Sequence, residues 1–242
     1  MTEPAPTAEL KERDGGGAEA YAAAQELGVP APAQAAATSP AVTCEGDGSA
    51  GYRTQAMYVV EADKTNRYEA LKSNFQLWAA GVDDVVNRSA ALTGGVRHVR
   101  YVTEAGGGGC VAKVLNVTVP AGSMASFGAT ISAVQALGYN TAGRKYLMWT
   151  DATALCGIAS MYTNDTASQG NPNNGAYAQY ARIDAGCWGL GNGTSEHSVE
   201  AHEILHTLGL GENPPSSDTI ARQVAARCGG DDRPNPLTDS SQ

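Results

Sequence analysis

Apolar positions along this chain change period several times, and each change marks an element. After the turn-rich CEGDGSAGYR, the run QAMYVVEA is dense in apolar and β-branched residues and predicts a central strand. From Asn66 to Leu92, Tyr68, Leu71, Phe75, Trp78, Val82, Val85 and Val86 recur at helical spacing, with Gly94 and Gly95 beyond. That pattern predicts a long amphipathic helix laid on a sheet. Strand-like runs follow at Val96 to Thr103 and Cys110 to Val119, with Gly106 to Gly109 as a flexible link. Ser123 to Leu137 returns to helical spacing, and Gly138 is placed to stop it. KYLMWT, Lys145 to Thr150, predicts a buried strand and Gly157 to Tyr162 a shorter one. NDTASQGNPNNG is all turn chemistry and predicts an exposed loop. AYAQYARID, Ala176 to Asp184, alternates as an edge strand would, and Gly186 to Gly193 is another loop. A last helix is expected over Thr194 to Leu208. Strands and helices in this order predict an α/β (α+β) domain.

Residues 1–43 are rich in Ala, Pro, Gly and Glu and nearly lack large apolar residues, so they are expected to be a disordered pro-segment or linker. The domain is expected to span 44–212, and 213–242 to be an irregular, incomplete C-terminal subdomain ending in a polar tail.

Charge narrows the partners. With 25 acidic against 16 basic side chains the surface repels phosphate backbones, which argues against nucleic acid. No apolar stretch reaches the ~18 residues a bilayer crossing needs, which argues against the membrane. Cys44, Cys110, Cys156, Cys187 and Cys228 are scattered without CxxC spacing in a Gly-, Ser- and Thr-rich chain, which favours disulfides and an oxidising compartment. The count is odd, so at least one cysteine lacks a partner within the chain. MTEPAPTAEL has neither a basic n-region nor an apolar h-region; secretion is expected, with the signal peptide outside this sequence. A free-thiol, intracellular metalloprotein is the alternative compartment reading.

The chemistry concentrates in SEHSVEAHEILHTLG. His202 and His206 stand four apart, so on a helix both imidazoles leave one face and can reach one ion. Glu203 beside them is directed to act on water rather than as a ligand. Zinc would lower the pKa of its water from near 16 towards about 7. Glu203 is then the candidate general base and proton carrier for hydrolysis of a peptide bond. Val199, Ile204, Leu205 and Leu208 mark the buried face of this helix, and Gly209 follows where the chain turns. His197 falls off the ligand face; Glu200 is expected on the solvated face and His98 to be structural.

HEILHTLG resembles the HExxHxxG core of the metzincins, and a wider resemblance runs from Cys44 to Gly209. CEGDGSAGYRTQAMYVVEADKTNRY, FQLWAAGVDDVVNRSAALTGGVRHVRYVTE, RKYLMWTDA with CGIASMY, and YARIDAGCWG are similar to reprolysin-like secreted zinc proteases of actinobacteria. The resemblance implies a metzincin-like zinc endopeptidase domain, working as a monomer on peptide or protein substrates. Its sheet would be mixed and mostly parallel, with an antiparallel edge strand, here Ala176 to Asp184, lining the cleft and pairing with the substrate. The third ligand of a metzincin lies ten residues after the first, at Glu212; the snapalysin branch has Asp there, so a carboxylate is admissible. Other relatives place a third histidine further downstream, and no histidine follows His206 here. All five methionines precede the motif, so the family's Met-turn is missing. A relative that keeps the fold as a catalytically inactive peptide-binding or surface interaction module is the alternative function.

Overall fold

The computed structural model describes residues 37–91, 94–162, 171–174, 177–190, 192, 198–209 and 237–239. Most of residues 1–43 therefore lies outside it, but β1, Ala41–Val42, precedes the expected opening at Cys44.

Among the described residues five strands form the main sheet: β2 (Arg53–Glu61), β6 (Val114–Val119), β7 (Arg144–Thr150), β8 (Gly157–Ala159) and β9 (Gln179–Asp184). Their order is β6-β2-β7-β9-β8. β2 pairs in parallel with both β6 and β7, and β7 in parallel with β9; only β8 runs antiparallel, on β9. The mixed, mostly parallel sheet is therefore as expected, while the edge is not. The alternating segment around β9 is an interior parallel strand, and the antiparallel edge is β8. All six residues of β9 are buried, because its polar positions are satisfied inside. Arg182 pairs with Asp184 at 2.7 Å and donates to Thr130 Oγ1 at 2.9 Å. Alternation here reports a buried polar network, not a wet face.

Period-2 geometry sorts the sheet residues onto two faces. Ala56, Tyr58, Val60, Leu147, Trp149, Ala181 and Ile183 pack with Phe75, Ala79, Val82, Ile204 and Leu205. These contacts bring α1 (Tyr68–Ala91) and α3 (Val199–His206) onto one face. Met57, Val59, Met148 and Tyr180 pack on the other face with Phe127 and Val134 of α2 (Phe127–Ala136). Covered on both sides, β2 and β7 read as continuous apolar runs. Ser126 caps α2 by accepting from Ala129 N, and Gly138, at φ 92°, ends it.

The region between α1 and β6 is a small separate sheet. β4 (Thr103–Gly106) and β5 (Gly109–Ala112) form a hairpin, with β1 antiparallel on the other side of β5. Gly107 and Gly108 both hold positive φ, so the expected flexible link is a two-residue hairpin turn. β3 (Arg97–Val99) pairs antiparallel with β10 (Leu237–Asp239), so part of the expected polar tail is a strand. Among the described residues two disulfides, Cys44–Cys110 and Cys156–Cys187, staple the hairpin sheet and the β8–β9 end. Cys228 lies outside the described residues. No helix of the described residues is long and apolar enough to cross a membrane.

Candidate metal centre

Helix α3 opens at Val199, where Ser198 caps it: its hydroxyl accepts from Ala201 N, and residues 194–197 of the expected helix lie outside the described residues. Val199, Ile204, Leu205 and Leu208 are buried as expected. Gly209, at φ 81°, turns the chain, its N–H donating to His206 O. His197 and Glu212 lie outside the described residues.

What remains is the pair the motif predicted. His202 Nε2 and His206 Nε2 stand 2.9 Å apart, and the rings meet edge to face with centroids 4.5 Å apart. An ion with tetrahedral bonds of about 2.0–2.1 Å separates two ligand nitrogens by about 3.3 Å. The pair therefore needs to open by only a few tenths of an ångström to hold one. Among the described residues no third His, Cys, Asp or Glu joins them as a metal-holding group.

His202 is exposed and His206 half-buried. Desolvation, and after it repulsion from His206, pulls the His202 pKa down to about 4. Its exposure and this desolvation act in opposite senses; exposure limits the size of the shift, not its direction. The imidazole is neutral at physiological pH, the form that binds a metal.

Glu203 faces inward, 6% exposed, and its carboxylate accepts no hydrogen bond from a described residue. Burial pushes its pKa up to about 8. A cation held by the neighbouring imidazoles would draw it back down, since opposite charge favours the carboxylate.

Glu200 departs from expectation. It is buried rather than solvated, because its Oε1 accepts from Gly189 N at 2.6 Å and Trp149 Nε1 at 3.2 Å. It ties the first turn of α3 to β7 and to the turn after β9. Burial raises its pKa to about 7 against the opposing pull of these bonds, and its Oε2 has no hydrogen-bond partner among the described residues.

Lys145 holds the other end of the helix. Its Nζ donates to Thr207 O at 2.5 Å, to Asn173 O at 2.7 Å and to Gln179 Oε1. Thr207 O is among the last carbonyls of α3, which have no intrahelical donor. Burial lowers the Lys145 pKa to about 7. Asn173 in turn bonds both backbone groups of Tyr162, so the segment after β8 is fixed to the same point. A lysine opening a buried apolar strand was the available signal for this anchor; its partners are too distant in sequence to read.

His98 is structural, as expected: its Nδ1 lies 2.9 Å from Asp83 Oδ2, and that bond raises its pKa. No family model matches the chain, and neither a curated protein nor a solved structure shows significant similarity to it.

Proposed function

We propose that this chain is a zinc-dependent endopeptidase of metzincin type. The observation that carries the reading is the convergence of the His202 and His206 Nε2 atoms to 2.9 Å on one helical turn, beside the desolvated Glu203. His202 and His206 would hold the ion. Glu212, which the family resemblance implies as a third ligand, lies outside the described residues.

A bound zinc ion would supply Lewis-acid polarisation of the scissile carbonyl and acidify the attacking water. Glu203 takes the proton from that water and passes it to the leaving amine. Its near-burial keeps bulk water away from the carboxylate, so its charge acts at close range. β8 supports the substrate half of the reading. It is an antiparallel edge strand, and among the described residues it pairs only with β9. Its other side, which no described strand pairs, offers backbone groups for an extended peptide to add as a further strand. Secretion fits the two disulfides.

The test is digestion of a denatured protein by the zinc-loaded chain. Internal fragments are expected, with cleavage abolished by a chelator and restored by added zinc. Stoichiometric zinc without cleavage would leave the inactive binding module standing instead. Cleavage indifferent to chelation would remove the metal from the account.

A further inference from the structure

We infer that Gly157, on the edge strand, is a positioning residue for Glu203: its missing side chain leaves the space in which the carboxylate lies. A Cβ at Gly157 would stand 2.5 Å from Glu203 Oε1, 2.8 Å from Cγ and 2.9 Å from Cδ. Ordinary carbon contacts are at about 3.5–4.0 Å. The overlap runs along the whole end of the side chain, not at one flexible tip.

Glycine is not at this position for a turn. Gly157 lacks the positive φ seen at Gly107, Gly108 and Gly138, and it sits in β-ladder register opposite Ile183. Glycine weakens a strand, and its presence in one marks a close approach. Here the approaching group is Glu203.

Neither wall can retreat cheaply. Cys156, immediately before Gly157, is bonded to Cys187, and its carbonyl accepts from Asp184 N at 3.1 Å. The helix is held at its start by Glu200 and at its end by Lys145. The Glu203 side chain is the movable part, since no described residue hydrogen-bonds its carboxylate. The backbone of β8 therefore sets where the carboxylate stands. The packing half of this inference is independent of the proposed activity; the functional half rests on Glu203 acting as the base.

Gly157→Ala tests both halves, because alanine fits this backbone and adds only the methyl. Thermal unfolding is measured for Gly157→Ala, Glu203→Ala and the double variant. In the presence of Glu203 the methyl is expected to lower the midpoint by about 2–4 °C, the shift that about 1 kcal/mol produces in a chain of this size. In the Glu203→Ala background it is expected to be neutral or stabilising, since space is free and alanine restricts the unfolded chain. Equal shifts in the two backgrounds would overturn the contact. Should Gly157→Ala fail to fold alone, folding of the double variant supports it and failure of both overturns it.

Turnover gives the second readout. With zinc content unchanged, kcat is expected to fall at least tenfold and KM to stay within about twofold, because the base is displaced while the ligands and the strand edge are not. An unchanged kcat in an active protein would overturn the positioning role. A wild-type chain that binds zinc and cleaves nothing would instead overturn the proposed activity, and the unfolding comparison would still decide the contact.

Discussion

Glu203→Gln is expected to lower kcat by about 10²–10⁴-fold, the usual contribution of a positioned general base, while zinc content and KM stay near those of the wild type. Glutamine matches glutamate in shape, so it fills the same space against Gly157. It cannot accept the proton. Loss of folding does not explain such a result, because burial disfavours the Glu203 carboxylate and the neutral amide removes that penalty. Steady-state kinetics beside metal analysis checks it. A variant that retains turnover within tenfold of wild type would assign the proton transfer elsewhere.

Glu200→Gln is expected to change the pH dependence of stability in the metal-free protein. Its folded-state pKa is raised from 4.5 to about 7 by burial. Between those values the folded state binds more protons than the unfolded state, so stability falls as pH rises. The wild type should thus lose about 3 kcal/mol relative to Glu200→Gln between pH 4.5 and pH 7, at 1.36 kcal/mol per pKa unit. Below that window the contribution of the acid is flat. Glutamine retains the Oε1 acceptor for Gly189 and Trp149. Glu203, raised in the same direction, is present in both proteins and cancels. Urea unfolding in chelator at pH 4.5 and pH 8 measures the difference. A difference independent of pH would mean that Glu200 ionises normally and is not desolvated.

What the sequence showed and what it hid divide along the range of the interactions. α1, α2, β2 and β7 were legible because their signals are local: helical spacing, a glycine stop, dense apolar runs. The His202 and His206 pair was legible for the same reason, since one helical turn sets their geometry. β9 was misread as an edge because Gln179, Arg182 and Asp184 look solvated until Lys145 and Thr130 are brought beside them. Glu200 was misread in the same way, its partners being Gly189 and Trp149. The three-residue β8 gives no local sign of its partner or direction, and nothing near Gly157 in sequence points to Glu203. Five cysteines suggested disulfides, but only the fold pairs Cys44 with Cys110 and Cys156 with Cys187.

Zinc K-edge X-ray absorption on the dialysed, zinc-loaded protein tests the central geometry most directly. Two imidazole nitrogens at about 2.0–2.1 Å from one ion per chain are predicted, with one lost in His206→Ala. Zinc removed by dialysis, or retained with no imidazole in its shell, would contradict a metal held between His202 and His206.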